Sequence, residues 1–312
     1  MRYKKLGHSG LSVPVFALGC TTLGSQVADD ESLAIMNRAF DLGMTFYDVA
    51  DVYSKGRAEI LLGQALKGRR HQAIITTKLF GETGPGPNDK GLSRKHIIEA
   101  CEASLRRLQT DYIDVYQMHH WDPETPIEES LGAMDDLVRQ GKVRYIGASN
   151  FMGWQIVEAV QTAQAYGLPR LVSTEEKYSM ISRGVEAELL PSAMANKVGV
   201  LVFNPIAGGF LTGKYKQNEP PPSGTRFAVR PWYIDNYWND RAFRLMERLD
   251  NGAHGLGVST VRLAIGWLLA NPAVTTVILG ATKVSHIEQN LAAATEPLSQ
   301  QELNLCAAAL AE

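Results

Sequence analysis

The sequence predicts an α/β fold, a single (β/α)₈ barrel of the TIM type with an N-terminal β-hairpin and a long loop after strand seven. Eight short apolar runs alternate with helical patterns, as expected for a parallel sheet built from βαβ units. A doubly wound sheet would need a glycine-rich phosphate turn after an early strand, and residues 19–24 do not match that fingerprint. We therefore expect one domain, residues 1–312.

The predicted elements follow one another in the order that such a barrel requires. Before the barrel, two short runs around a Gly-His-Ser-Gly turn predict the hairpin, at residues 3–6 and 11–13. The predicted barrel strands are residues 15–18, 45–47, 73–77, 114–118, 143–148, 171–174, 198–203 and 275–279. The predicted helices are residues 30–42, 57–66, 93–108, 126–140, 154–166, 185–195, 240–251, 259–270, 286–294 and 299–311. Ser93 as an N-cap, Pro126 in a first turn and Gly43 after a last turn support these boundaries.

The segment 207–237 interrupts the alternation of strands and helices. It is rich in glycine, proline and aromatic residues, including three successive prolines at 220–222 and Pro-Trp-Tyr at 231–233. Connections longer than about 15 residues usually have a function or are disordered. We predict a functional loop here.

Composition limits the classes of partner. A net charge of −2, with 45% hydrophobic and 21% charged residues, is typical of a globular protein and disfavours nucleic acid or an anionic membrane as partner. The three cysteines, Cys20, Cys101 and Cys306, have neither disulfide nor metal-ligand spacing, which favours a reducing, cytoplasmic location. We read no signal peptide in the charged N-terminus and no apolar run of about 18 residues that would span a membrane.

Polar residues follow the predicted strands, where the active sites of such barrels lie. Strand two is followed by Asp48 and Tyr53, strand three by Lys78 and strand four by His119. A tyrosine, with an ordinary pKa near ~10, becomes a useful acid beside a cation that stabilises its phenolate. The sequence supplies such a lysine and an acidic partner for it.

Asp48, Tyr53, Lys78 and His119, in this order, resemble the catalytic tetrad of the aldo-keto reductases. The flanking stretches agree: GMTFYD at 43–48, DYIDVYQMH at 111–119 and IGASNF at 146–151. LTGKY at 211–215 resembles the bacterial and potassium-channel-β-like branch of that family. The resemblance covers nearly the whole chain.

The resemblance implies hydride transfer between a nicotinamide cofactor and a carbonyl carbon, without a metal. Tyr53 would protonate the carbonyl oxygen, and Lys78, paired with Asp48, would lower the pKa of Tyr53 toward working pH. His119 would orient the carbonyl as a neutral imidazole. We prefer Asp48 over Asp51 as the partner of Lys78 and place His120 at the rim.

The resemblance also implies NADP(H) as cofactor, with NAD as the alternative. The residues expected to bind it are Ser149, Asn150, Glu175, Phe203, Asn204, Pro205, Ile206, Ala207, Gly208, Lys214, Arg226, Gly280, Thr282, His286, Gln289 and Asn290. Arg226 and Lys283 are the candidates for the 2′-phosphate, because choosing NADP over NAD requires a cation; either could instead be solvated. Trp121 and Trp232 are expected at the substrate mouth, whereas Tyr233 and Trp238 either join them or pin the long loop.

The chain departs from the family pattern at three positions: Phe203 replaces a stacking tyrosine, His286 a cation and Glu175 a carboxamide-binding glutamine. An ionised glutamate only accepts hydrogen bonds. We hypothesise that Glu175, if ionised and pointing inward, stabilises the positive oxidised nicotinamide and favours alcohol oxidation. The alternative is that it turns away or is protonated.

Three functions compete. The first is an oxidoreductase interconverting an aldehyde or ketone, sugar-like substrates included, and its alcohol. The second is a cofactor-binding regulatory subunit with slow or incidental reductase activity, disfavoured by His119 and by the lack of a long N-terminal extension. A third, a barrel enzyme acting on phosphorylated sugars, is disfavoured by the segment 280–282. Substrate, direction and oligomeric state are left open by the sequence.

Overall fold

A closed barrel of eight parallel strands forms the centre of the protein and confirms the predicted (β/α)₈ architecture. The computed structural model describes residues 1–311; Glu312, the last residue of the predicted domain, lies outside this range. The barrel strands are β3 (Phe16–Gly19), β4 (Phe46–Asp48), β5 (Ile74–Leu79), β6 (Ile113–Met118), β7 (Val143–Ser149), β8 (Leu171–Lys177), β9 (Gly199–Phe203) and β10 (Val274–Gly280). β10 pairs with both β3 and β9, which closes the barrel.

The predicted N-terminal hairpin is also present, as β1 (Tyr3–Lys5) paired antiparallel with β2 (Ser12–Pro14). Leu6 and Val13 are completely buried and cluster with side chains from inside the barrel, including Phe46 and Val115. The Nζ of Lys4 donates to the carbonyl of Val274 at the start of β10. The hairpin therefore covers the N-terminal end of the barrel and leaves the opposite end for chemistry.

Twelve helices surround or extend the barrel within residues 1–311. They are α1 (Asp29–Asp41), α2 (Arg57–Ala65), α3 (Arg94–Leu108), α4 (Ile127–Arg139), α5 (Gly153–Tyr166), α6 (Leu189–Ala195), α7 (Arg226–Val229), α8 (Trp232–Tyr237), α9 (Asp240–Leu256), α10 (Thr260–Ala270), α11 (Val284–Ala294) and α12 (Gln300–Leu310). Within this range no individual helix is both long and apolar enough to cross a membrane; α9 and α10 meet that test only as a pair bent by 101°.

Most helix ends lie where the capping residues predict them. The hydroxyl of Ser93 accepts a hydrogen bond from the backbone N–H of His96 at the start of α3. Gly43 follows α1 with φ +79°, the left-handed conformation that glycine adopts readily. The prediction was wrong at α9, which continues past residue 251 to the left-handed Gly257, since Gly252 packs closely against Leu305 of α12.

The segment 207–237 is more ordered than the predicted loop. It contains a 3₁₀ turn at Ala207–Thr212 followed by the short helices α7 and α8. Phe210, Tyr215, Phe227 and Tyr237 are buried in one cluster with α9 residues. Burial of these large aromatic surfaces supplies the stabilisation that glycines and prolines cannot.

Candidate active site

Strand register and alternation bring the predicted strand-end residues to one end of the barrel interior. Asp48 ends β4, Lys78 lies near the end of β5 and pairs with Gln117 of β6, and Glu175 of β8 pairs with Ser149 of β7. Since side chains alternate along a strand, Lys78 points into the barrel while its neighbour Thr77 points out toward α2.

Lys78 is the centre of this arrangement and is completely buried. Its Nζ forms an ion pair with Asp48, donates to the carbonyl of Val49 at 3.2 Å and lies 3.3 Å from Oε2 of Glu175. Asp51, the alternative partner, forms no salt bridge with Lys78. One ammonium group therefore holds two carboxyl groups, each 2% exposed.

Glu175 points into the barrel rather than away from it. Nε2 of Gln117 donates to Oε2 of Glu175 at 2.9 Å and to Oγ1 of Thr76 at 2.8 Å. We did not single out Gln117 from the sequence. The sequence did contain an indication of it. Gln117 lies two residues before His119 and so on the same face of the strand, and a glutamine there needs hydrogen-bond partners inside the barrel.

Tyr53 and His119 complete the group beside Lys78. The ring centre of Tyr53 lies 5.2 Å from the Nζ of Lys78. It lies 5.9 Å from the ring centre of His119, and the planes of these two rings meet at 74°. Tyr53 begins a 3₁₀ turn in which Ser54 and Lys55 adopt left-handed φ values of 52° and 54°. His119 stacks on His120, with ring centres 5.1 Å apart. All four residues of the predicted tetrad therefore meet.

Burial and charge fix the protonation of this group. Burial, then the charges of Lys78 and His120, lower the pKa of His119 to about 2, so its imidazole is neutral. Burial opposes the charge on Lys78, but Asp48 and Glu175 together raise its pKa well above the ordinary value. Burial, then the charge of Glu175, raise the pKa of Asp48 against the attraction of Lys78.

The pKa of Tyr53 differs from the expectation. Lys78 acts in the predicted direction, but burial outweighs it, and Asp48 and Glu175 add to burial, so that the pKa of Tyr53 rises to about 12. The prediction counted the cation and neglected burial and the second carboxyl group. Tyr53 is therefore a neutral phenol in the protein alone.

Ser149 and Asn150 already hydrogen-bond to the protein. The hydroxyl of Ser149 donates to the carbonyl of Glu175 at 3.0 Å, and the amide of Asn150 donates to the carbonyl of His119 and to Oγ of Ser149. Asn150 has a left-handed φ of 56°. These bonds fix the loop after β7 beside the tetrad and leave the amide oxygen of Asn150 to accept a further hydrogen bond.

The residues after β9 form a tight turn. The amide of Asn204 donates to the hydroxyl of Tyr237, and its oxygen accepts from the N–H of Gly208, both at 2.7 Å. Gly208 has φ +65°, and an added Cβ would lie 2.3 Å from the ring of Tyr233. Only glycine fits there. Of the neighbouring positions predicted for cofactor binding, Phe203 ends β9, and Pro205, Ile206 and Ala207 lie on this turn.

A group of cationic side chains lies beyond this turn. Burial and then Arg226 lower the pKa of Lys214, and burial followed by Lys214 and Lys283 lowers that of His286. None of these four residues forms a salt bridge within residues 1–311, although Glu31 accepts from the backbone of Val284 nearby. His286 is uncharged at neutral pH, because its pKa lies below the ordinary value of 6.5, so Lys214, Arg226 and Lys283 carry the positive charge of the group. Three cations without a paired carboxylate among residues 1–311 fit the phosphate groups of a dinucleotide.

The remaining predicted cofactor residues flank this cationic group. Gly280 ends β10. The hydroxyl oxygen of Thr282 lies 3.4 Å from Nδ1 of His286. Gln289 and Asn290 lie further along α11, near the surface. The structure shows no side-chain contact that distinguishes the last two from other surface residues.

Aromatic side chains lie on the loops that follow two of the strands. Trp121 packs edge-on against Phe151 and Trp154, and Trp154 is 50% exposed. Trp232 is 47% exposed and lies under the Nζ of Lys177, which ends β8. Tyr233 and Trp238 pack instead into the aromatic cluster of segment 207–237. The sequence analysis did not predict that Trp154 contacts Trp121 or that Lys177 contacts Trp232, because helix starts and strand ends also carry ordinary surface residues.

Comparison with known proteins agrees with this arrangement. Residues 16–311 match the model of the aldo/keto reductase family. The chain is 41% identical over 305 residues to an Arabidopsis thaliana protein named "Probable voltage-gated potassium channel subunit beta", covering 94% of this chain and 91% of that protein. It is 36% identical over 317 residues to the "Uncharacterized oxidoreductase YrpG" of Bacillus subtilis, covering 98% and 94%. The chain belongs to the aldo/keto reductase family.

Proposed function

We propose that this protein is an NADP(H)-dependent oxidoreductase that interconverts an aldehyde or ketone, sugar-like substrates included, and its alcohol. The observation that carries the proposal is the convergence of Tyr53, Lys78 and His119 at one end of the barrel, with Lys78 fully buried. The oxidoreductase name of the Bacillus relative supports the reaction class. We further propose that residues 1–312 form one domain that works in the cytoplasm; three free, buried cysteines support that compartment.

The residues present fit this reaction. The nicotinamide cofactor, when bound, supplies or accepts the hydride. Tyr53 donates its proton to the carbonyl oxygen as negative charge develops there, and takes a proton from the alcohol in the reverse direction. The positive charge of Lys78 stabilises the phenolate that Tyr53 leaves behind. Neutral His119 donates a hydrogen bond to the same oxygen and orients the carbonyl.

The remaining residues would hold the cofactor. Lys214 and His286 would bind its phosphates, and Arg226 and Lys283 its 2′-phosphate, which is the basis for proposing NADP over NAD. Asn150, Glu175 and Phe203 would adjoin the nicotinamide, whereas Trp121 and Trp232 would line the substrate entrance. The cations of this group, which form no salt bridge within residues 1–311, support the assignment.

A regulatory subunit is the second candidate, because relatives from Arabidopsis thaliana and Oryza sativa, 41% and 40% identical, are named as channel β subunits. Such a protein would bind the cofactor but turn over carbonyls slowly or not at all. His119 beside Tyr53 favours the enzyme, since a subunit that only binds cofactor needs no oxyanion donor there.

Steady-state turnover separates the two candidates. NADPH oxidation is followed with a panel of aldehydes, ketones and sugars, and NADP⁺ reduction with the matching alcohols. We expect at least one pair to react, and Tyr53→Phe to lower kcat by about 10²–10⁴-fold. Tyr166→Phe, at an exposed position, is the matched control. Tight cofactor binding with no turnover in either direction would favour the regulatory subunit.

A further inference from the structure

The buried site contains one more carboxyl group than its cations can balance. Lys78 is the cation that Asp48 and Glu175 share, and all three side chains are at most 3% exposed. Gln117 supplies a neutral donor to Glu175 and adds no charge. With both carboxyl groups ionised, the cluster would carry a net charge of −1 in a water-excluded interior.

Burial disfavours that state. An uncompensated charge in an apolar interior is strongly disfavoured, whereas one proton on the pair makes the cluster neutral. Two carboxyl groups that hold one site titrate as a pair and share the proton between them. The raised pKa of Asp48, caused first by burial and then by Glu175, is consistent with such a shared proton.

The other titratable groups around the pair do not supply the missing charge. Tyr53 is a neutral phenol and His119 a neutral imidazole. Cys20, beyond β3, is completely buried, and burial raises the pKa of its thiol, so that it stays protonated. Asp51 is a further acid and Glu176 points out of the barrel, where it accepts from Thr174. Among residues 1–311, Lys78 is thus the cation on which the pair depends.

We propose that Asp48 and Glu175 share one proton in the free protein and with reduced cofactor, and release it to solvent when oxidised cofactor binds. The inference rests on the proposed function, because it assumes a nicotinamide ring beside Glu175. The oxidised ring carries a positive charge and the reduced ring does not. A positive ring balances a second ionised carboxylate, so the proton leaves without any redox change in the protein.

This linkage makes the cofactor preference depend on pH. Oxidised cofactor prefers the deprotonated pair, so its affinity increases as pH rises through the titration of the pair. The affinity for reduced cofactor has no such dependence. Rising pH therefore increases the fraction of protein that holds oxidised cofactor when this cofactor is limiting, and Glu175 acts on that fraction through its charge.

Calorimetry measures the released proton directly. Binding of NADP⁺ and of NADPH is titrated near neutral pH in two buffers with different ionisation enthalpies, and the difference gives the protons released. Both cofactors carry the same phosphates, so phosphate titration cancels in the comparison. We expect up to one proton released with NADP⁺ and none with NADPH.

Two variants identify the source of the proton. Glu175→Gln should abolish the NADP⁺-linked release and weaken NADP⁺ relative to NADPH about tenfold, since a buried charge pair is lost. Glu176→Gln, the same change one residue along and outside the barrel, should keep both properties. Equal proton release in Glu175→Gln and wild type would overturn the proposal.

A measurement on the unchanged protein keeps the test independent of folding. The Kd for NADP⁺ should fall with rising pH, by up to tenfold per unit, while the Kd for NADPH stays level. Parallel pH dependence of the two cofactors would also overturn the proposal. These measurements need no turnover. If the protein releases the proton but reduces no carbonyl, the proposed function is contradicted while the shared proton is still supported.

Discussion

Strand β5 separates two buried acidic sites that solve the same electrostatic problem differently. On its outer side, Glu59 is completely buried and accepts hydrogen bonds from Thr77 and from Nε of Arg107, both at 2.6 Å. On its inner side, the next residue, Lys78, holds both Asp48 and Glu175. The outer site has one carboxylate for one cation, and the inner site has two.

The difference explains why one site is structural and the other is suited to chemistry. A buried carboxylate with a cation and a hydroxyl donor is balanced, and nothing about it changes during a reaction. Two carboxyl groups on one ammonium leave a proton that can stay or go with the charge of a ligand. Strand β5 thus contributes Thr77 to a permanent charge pair on its outer side and Lys78 to an adjustable one on its inner side.

The largest expected effect is at the inner site. Lys78→Met should lower kcat/KM for any active substrate pair by about 10³-fold or more, because the phenolate of Tyr53 loses its stabilising charge. Steady-state kinetics checks this, with Lys67→Met at an exposed position as control. Activity within a few-fold of wild type would break the distinction between the two sites.

The outer site should respond in stability instead. Arg107→Met should lower the free energy of unfolding by about 3–5 kcal/mol, since it leaves the buried carboxylate of Glu59 without its cation. Urea unfolding measures the loss, and the Arg107→Met/Glu59→Gln double variant should recover part of it. Unchanged stability combined with a large fall in kcat would place the outer pair in the active site.

Asp51 is a third buried acid, and it forms no salt bridge within residues 1–311. Both of its carboxyl oxygens are buried, and burial, then the charge of Glu59, raises the pKa of Asp51 to about 7. The folded protein therefore binds this proton more tightly than the unfolded chain does. The stabilisation that comes from protonated Asp51 is complete below the pKa that this group has in the unfolded chain. It is lost as pH rises from about 4 to about 7.

Asp51→Asn should remove that pH dependence. The decrease in unfolding free energy between about pH 5 and pH 8 should become smaller by about 2 kcal/mol. Urea unfolding at both pH values measures it, and Asp111→Asn on the surface is the control. An unaltered pH dependence would mean that another buried acid, such as Glu176, carries it.

The cationic group beyond β9 is the converse case, because its positive charges have no paired carboxylate in the part of the chain that the structure describes. Arg226→Met should weaken NADPH about tenfold and NADH little, because only NADPH has a 2′-phosphate for the guanidinium. Fluorescence titration with both cofactors measures this, and Arg230→Met on the exposed end of the same segment is the control. Equal weakening of both cofactors would assign Arg226 to the shared phosphates.

Much of the site could be predicted from the sequence, because strand ends in a parallel barrel converge whatever their side chains are. That rule alone predicts that Asp48, Lys78 and His119 lie close together. It does not predict that Glu175 contacts Lys78, since β5 and β8 lie apart in sequence and their side chains meet only across the barrel interior. The predicted direction of the Tyr53 pKa shift was wrong mainly because burial, which the sequence does not measure, outweighs the charge of Lys78.

The irregular segment was the least predictable part of the fold. Glycines and prolines in 207–237 suggested a loop, yet its aromatic residues bury one another and support two short helices. Local propensity is weak evidence when tertiary burial is this large. The extension of α9 past residue 251 has the same origin, in packing against α12.

The shared proton at the inner site is tested most directly by infrared difference spectroscopy between wild type and Glu175→Gln near neutral pH. Asp51 and Glu176 are present in both proteins, so their bands cancel. We predict one carbonyl-stretch band of a protonated carboxylic acid in the wild type, shifted in D₂O, that disappears when NADP⁺ is added and persists with NADPH. A spectrum without that band, or a band unaffected by NADP⁺, would contradict the account.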